Sequence, residues 1–331
     1  MAESGSVSFK RIKRRKKMTA SDKVFCFFVY AFFLLFAFVT VYPILRTLAY
    51  SFSDPYLMYK SSALALYYPE DTEFDGIWFL PKGWSFTSYK WLLVPDFEYL
   101  ERTGIIQFTY PGLQLSFAVT LLRTIIGTIT GLLANALLAF ILSRRKFVFK
   151  SFLSVFWIFT MYASAGLIPT YVLYSKLHLT GTFWVYIIPG MVSALNVIVM
   201  RTYMQAIPDS LEEAARLEGA DYMKIFWSII SPLCKPLYAA IALFTAAYHW
   251  NAWFDSMFYN RFEPRYRTLI HILEQYYTVI PSSEGVEYHS FYVSAPIKAA
   301  VTIIAMAPLL IVYPFLQKYF VTGLTIGGVK E

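Results

Sequence analysis

Six long apolar runs dominate the chain, at roughly Val24–Leu48, Leu113–Leu142, Phe149–Tyr174, Thr182–Met204, Ile225–Phe254 and Ile297–Phe320. Each supplies the roughly 20 mostly apolar residues that a helix needs to cross the hydrocarbon layer. Backbone that faces lipid must satisfy its hydrogen bonds internally, so each run is expected as a helix. Alternating β-barrel patterning is absent. The pattern therefore predicts an all-α membrane protein with six transmembrane helices. The polar intervals between the runs are uneven. Two are long (46–112 and 255–296), one is short and basic, and one, at 207–224, has a pattern of its own.

Composition agrees: 57% of residues are apolar and 15% charged, where soluble domains carry about a quarter charged residues. The net charge of +8 is concentrated in two places. KRIKRRKK, from Lys10 to Lys17, directly precedes the first run, and Arg144, Arg145, Lys146 and Lys150 link the second run to the third. Both fit retention of positive segments in the cytoplasm. An even number of crossings then puts both termini inside. The 46–112 segment, with eight acidic and five basic residues, falls outside. The basic arm reads as a topology and lipid-headgroup anchor, with no nucleic-acid role. The first run is too long for a signal-peptide core and no small-residue cleavage site follows it, so it is expected to be retained. Cys26 and Cys234 suggest packing and offer no disulfide or metal framework.

The interval between the fourth and fifth runs reads IPDSLEEAARLEGADYMKIFWSIISPLCKP, Ile207 to Pro236. Pro208 breaks the preceding helix. Asp209 or Ser210 can cap a new one, with Glu212 or Glu213 three residues on as a capping box requires. Gly219 ends it, since glycine enters a left-handed turn without steric cost. The expected product is a short amphipathic helix just below the membrane. Its small Ala214 and Ala215 permit close approach of another protein's groove.

This segment resembles the EAA loop of the permease subunits of ATP-binding-cassette (ABC) importers. Glu213, Ala214 and Ala215 are followed by Gly219, Ile229 and Pro232 in register, with Ser231 where that family usually has leucine. LPKGWSFTSYKWLL is similar to the segment before the second span in carbohydrate-uptake permeases. QKYFVTGLTIGGVKE, Gln317 to Glu331, is similar to the tail of maltose-type permeases. The resemblance implies a type I importer permease fold with cytoplasmic termini in the bacterial cytoplasmic membrane. Its parts would be a basic arm (1–23), a first helix and extracytoplasmic loop (24–112), a five-helix core (113–322) with the loop 207–232, and a tail (323–331). It also implies a second, usually different permease subunit, an ATPase dimer below, and an extracytoplasmic binding protein that delivers a carbohydrate, an oligosaccharide in the reading the loops favour. Glu212, Glu213, Ala214, Ala215, Gly219, Ala220 and Pro232 would form the ATPase-coupling element, with Glu213 paired to a basic residue of the ATPase. Gly323, Gly327 and Gly328 would approach the ATPase interface.

The sequence holds no G-x-x-x-x-G-K-S/T phosphate loop, so ATP and magnesium are expected on the partner ATPase and no cofactor on this chain. No hydrolytic constellation marks it as an enzyme. Polar residues within spans usually face a bundle interior or a water-filled cavity. Arg123, Asn135, Asn196, His249 and Asn251 are therefore candidates for the solute path, and equally for helix–helix hydrogen bonds or interfacial anchoring. Gly127 and Gly131 form a GxxxG, suited to a subunit interface or to packing within the chain. A stand-alone secondary transporter would need carboxylates inside the spans, and none is there. A membrane enzyme would need convergent carboxylates, whereas Glu212 and Glu213 point in different directions around a helix. An ABC permease for a non-sugar solute remains open.

Overall fold

Thr19 opens the first helix by a reciprocal cap: its hydroxyl accepts from the Asp22 N–H at 3.2 Å, and its own N–H donates to the Asp22 carboxylate at 2.9 Å. The computed structural model describes residues 19–54, 80–93 (except 82), 113–144, 147–163, 165–278 and 295–326. In chain order the helices are α1 (Ala20–Ser51), α2 (Thr87–Leu93), α3 (Leu113–Ser143), α4 (Lys150–Tyr162), α5 (Leu167–Lys176) and α6 (Ala194–Gln205). They continue with α7 (Asp209–Leu217), α8 (Tyr222–Leu233), α9 (Lys235–Asn251), α10 (Phe254–Tyr259), α11 (Leu269–Thr278) and α12 (Ala295–Ile326). Among the described residues no strand forms beyond one isolated bridge, Ser53 to Trp84.

Three helices (α1, α3 and the Pro296–Pro314 stretch of α12) are long and apolar enough to cross a membrane, and the number reaches five if each of two bent pairs is one span. Three of the runs expected as single helices are thus interrupted. The run at 149–174 divides into α4 and α5, which meet at 116°. Ala163 turns to extended backbone (ψ 112°) and Gly166 adopts φ 82°, which L side chains rarely adopt. Pro169 sits in the first turn of α5, where its missing N–H has no intrahelical acceptor to lose. The run at 225–254 bends by 82° between α8 and α9. Pro232 and Pro236 each remove a backbone donor and crowd the carbonyl four residues back. The chain responds with a π-helical segment, Phe226–Ile230, and a break at Cys234.

The run at 182–204 departs furthest from expectation. It begins with a short 3₁₀ turn, Phe183–Tyr186, passes through turns at Pro189–Gly190, and becomes α-helical only at Ala194. The 12 residues of α6 reach about 18 Å, well short of a hydrocarbon layer about 30 Å thick. Asn135 compensates the break. Its Nδ2 donates to the Met191 carbonyl at 3.0 Å and its Oδ1 accepts from the Ser193 N–H at 2.8 Å.

The centre of the bundle is α3, packed against α6 and α9; α12 packs against both α9 and α1. Glycine makes the α3–α9 crossing close. A Cβ at Gly127 would lie 2.4 Å from His249 Nε2, whereas one at Gly131 would meet nothing nearer than the Met191 carbonyl at 3.5 Å. The GxxxG thus serves packing within the chain. Gly127→Ala is expected to lose about 1–3 kcal/mol to overpacking, and Gly131→Ala to stay near neutral. Thermal unfolding of the two detergent-solubilised variants checks this, and equal midpoints would contradict it.

Candidate functional site

The α7 end of the bundle is built on one apolar cluster. Ala139, Phe140 and Leu142 of α3 meet Met200 and Met204 of α6, Ala215 of α7, and Ile225, Phe226 and Ile230 of α8. The Phe140 and Phe226 rings lie 5.2 Å apart. Only Ala215 of α7 is buried in this cluster; Ala214 beside it is exposed. The two alanines expected to share a face towards a partner therefore divide, one inward and one outward.

The start of α7 also differs from expectation. Pro208 is the N-cap and no side chain caps the helix, so neither Asp209 nor Ser210 forms a capping box. Glu212 is held sideways instead. Arg144, at the end of α3, donates through Nη1 to Glu212 Oε2, while Arg216 one turn along α7 donates to Oε1. Arg144 further donates through Nη2 to the Met204 carbonyl at 3.3 Å and through Nε to Ser143 Oγ at 3.0 Å. Charge-assisted bonds to two guanidinium groups outweigh a single bond back to a terminal N–H. Arg216 also stacks on the Tyr222 ring, with its guanidinium carbon 4.4 Å from the centroid.

The end of α7 follows the sequence reading. Gly219 takes φ 80°. Its N–H donates to the Arg216 carbonyl at 3.0 Å, and the Ala220 N–H reaches back to the Ala215 carbonyl at 2.9 Å. These two bonds form a Schellman motif, and Ala220 packs against the cluster that holds Ala215. Asp221 then caps α8 by accepting from the Lys224 N–H at 2.8 Å. α7 is thus fastened to the bundle at both ends of its inner face. Its outer face presents Ser210, Glu213, Ala214 and Leu217, the last 90% exposed.

Pro232 helps to bend the path from α8 into α9. Gly323 falls within α12, while Gly327, Gly328 and most of the basic arm lie outside the described residues.

The polar candidates within the spans separate into two groups. Arg123 is 1% exposed; it is ion-paired with Asp255, donates to the Ala252 carbonyl at 3.0 Å, and stacks on Tyr186 at 4.6 Å. Asn135 braces the break before α6, and His249 is buried against Gly127. Asn196 is half-buried in the first turn of α6, its N–H donating to Ser193 Oγ at 3.4 Å. Asn251 is exposed at the end of α9.

Between α10 and α11 lies a second polar knot. Ser256 Oγ accepts from the Thr268 N–H at 3.1 Å and bonds His271 Nδ1 at 2.9 Å. Burial, and then the nearby Arg267 charge, push the His271 imidazole down to about 4, so it stays neutral at pH 7.

Arg144 is the residue that sequence reading missed. Its position beside the basic link suggests a topology charge, and its partner Glu212 is 68 residues away. The Glu212–Arg216 spacing of four is the one local signal of this network.

The geometry just described has close relatives. The family model described as "Binding-protein-dependent transport system inner membrane component" matches residues 124–326. The chain is 30% identical to the polygalacturonan/rhamnogalacturonan transport system permease protein YtcP of Bacillus subtilis (strain 168), over 93% of this chain and 99% of that protein. It is 34% identical to Protein LplC of the same organism, over 67% of this chain and 76% of that one. A chain from the crystal structure of a bacterial ABC transporter involved in the import of the acidic polysaccharide alginate superposes with a TM-score of 0.75 at 26% identity, covering 92% of this chain and 99% of that one. Sequence and fold thus agree across nearly the whole length, and the chain belongs to the family of binding-protein-dependent transport system inner membrane components.

Proposed function

We propose that this chain is one of two permease subunits of an ATP-driven importer of oligosaccharides, and that α7 is its coupling element. The observation that carries the reading is the division of α7 into two faces. Ala215, Glu212 and the Schellman bonds hold the inner face to α3 and α8, leaving Glu213, Ala214 and Leu217 for a partner. A lever moved by a motor needs both properties. It must not slip on the part it moves, and it must fit the part that moves it.

In this reading an ATPase dimer, carrying ATP and magnesium, receives the outer face of α7 in a cleft. Glu213 pairs with a basic residue there and Leu217 fills an apolar hollow. Closure of the dimer displaces α7, and α3 and α8 move with it through Arg144 and the aromatic cluster. The chain itself performs no hydrolysis. It crosses the membrane six times with both termini in the cytoplasm, the fourth crossing being the broken segment from Thr182 through α6. Irregular backbone is tolerated at membrane depth where protein satisfies it, and the Asn135 bonds do that. A different permease subunit completes the path, and an extracytoplasmic binding protein delivers the solute. The relatives named for polygalacturonan, rhamnogalacturonan and alginate support an oligosaccharide, with uronic-acid chains as the first class to test.

Glu213→Lys is expected to leave membrane insertion intact, strip the ATPase from the purified complex and reduce uptake at least about tenfold. Normal co-purification and uptake would remove α7 from the docking role. For the solute, the complete assembly with its binding protein is reconstituted in vesicles and ATP hydrolysis is scanned against acidic and neutral oligosaccharides. Stimulation by amino acids or peptides alone would overturn the carbohydrate reading.

A further inference from the structure

We infer that the concave face at the α10 end of α9 is a saccharide-binding subsite, in which Tyr248 and Trp253 offer aromatic faces to a sugar ring and Asn251 hydrogen-bonds its hydroxyls. This rests on the importer reading above and adds the place where the solute touches this chain.

A cavity of about 620 Å³ lies here, lined among others by Phe244, Tyr248, Asn251, Trp253, Phe254 and Asp255. That volume falls within the range of small-molecule sites, which combine aromatic walls with a few placed polar groups. The lining follows from helix geometry. Phe244, Tyr248 and Asn251 stand at i, i+4 and i+7, so they form one stripe along α9. At Ala252 the backbone turns extended (ψ 123°), and α10 starts at Phe254. The turn closes the stripe into a concavity and brings Trp253 and Phe254 to its end, with their rings edge-on at 6.1 Å.

The same turn sorts the polar aromatic group His249-Trp250-Asn251-Trp253. His249 and Trp250 are buried, and Trp250 Nε1 donates to the Ala305 carbonyl at 2.8 Å. Asn251 and Trp253 line the cavity instead. The chemistry favours a sugar over a lipid chain or a dry protein contact. An acyl chain gains nothing from an amide and a carboxylate set among the rings. A dry protein contact would have to find partners for the exposed Asn251 amide and the Asp255 carboxylate set among the rings. A pyranose ring has apolar C–H faces for Tyr248 and Trp253 and a rim of hydroxyls for Asn251. Asn251 Nδ2 already donates to the Ala247 carbonyl at 2.8 Å, which fixes the amide against its own helix. Asp255 is ion-paired with buried Arg123, so its charge is offset and an acidic sugar is not repelled.

The test uses the complete transporter, assembled with its partner permease, ATPase and binding protein in vesicles, with oligogalacturonides and malto-oligosaccharides as probes. Trp253→Ala and Asn251→Ala are expected to reduce the specificity constant for uptake about tenfold or more, while Trp253→Phe stays within about threefold. Subunit composition should not change. In a Cys26→Ser/Cys234→Ser background, Asn251→Cys should react with a soluble maleimide, and the transported saccharide should slow that reaction. Wild-type uptake kinetics in the alanine variants would overturn the subsite, as would a labelling rate indifferent to a saccharide that the transporter carries. Loss of the partner permease from the alanine variants, or labelling blocked by assembly alone, would make the face a subunit interface and also overturn it. If the unmodified transporter carries no saccharide but accepts amino acids or peptides, the carbohydrate reading itself falls. Those outcomes separate failure of the subsite from failure of the function.

Discussion

Asp255→Ala is expected to destabilise the bundle by about 3 kcal/mol. The Arg123 guanidinium is 1% exposed, and Asp255 supplies its ionic partner while the Ala252 carbonyl and the Tyr186 ring supply the rest. Removing one member of a buried pair leaves a charge that neither water nor protein compensates, at about 3–5 kcal/mol. Asp255 itself is 22% exposed, so some water reaches the gap and the lower end of that range is expected. Replacing both members, as in Arg123→Met with Asp255→Leu, should recover most of the loss, because hydrophobic pairs of similar volume often substitute for buried ion pairs without penalty. Thermal unfolding in detergent measures both. A single variant as stable as the wild type, or a double variant as unstable as the single, would show that the pair does not hold α3 to the α9–α10 turn.

The spanning elements differ in how far the sequence reveals them. Hydropathy locates α1, α3 and α12 within a few residues because an unbroken apolar run and an unbroken helix coincide there. It is blind to backbone direction. The bends between α4 and α5 and at Cys234 fall inside continuous apolar runs. Their local causes are visible as glycine and proline, yet proline is common in spanning helices that do not bend so far. Pro43 in α1 and Pro308 and Pro314 in α12 lie inside helices that continue. What separates the cases is tertiary: at the break before α6, Asn135 from another helix accepts and donates for the released backbone.

The coupling helix shows the same boundary between local and distant information. Gly219 was legible because a positive φ is a property of one residue and its neighbours. The capping box was not realised because the carboxylate that would have closed it has stronger partners, one of them on α3. The split between Ala214 and Ala215 likewise depends on what lies beneath α7. The candidates for a solute path behave similarly. Arg123, Asn135, His249 and Asn251 all read as polar groups within spans, and only the packing separates the three that tie helices together from the one that lines a cavity.

Three charges within one turn of α7 are expected to give three distinguishable phenotypes, and Arg144 decides the largest of them. Arg144 and Glu212 are 9% and 13% exposed at their side chains, against 27% for Arg216. Arg144→Gln therefore leaves Glu212 with only the partly hydrated i,i+4 pair, a class of contact worth about 0.3–0.5 kcal/mol. Glu212→Gln leaves the Arg144 guanidinium enclosed beside the Met204 carbonyl, and breaking so buried a pair costs about 3 kcal/mol or more. The apolar cluster still holds Ala215, so the helix stays in place while its rigid connection to α3 is lost. Both variants should keep their ATPase, hydrolyse ATP and transport poorly, so that solute moved per ATP falls about tenfold or more in vesicles. Arg216→Gln, which removes only the exposed member, should fall less than about threefold. Glu213→Lys, on the opposite face, should instead lose the ATPase from the complex. Equal losses at Arg144 and Arg216, or an Arg144 variant with normal transport per ATP, would show that α7 drives the bundle through its apolar contacts alone.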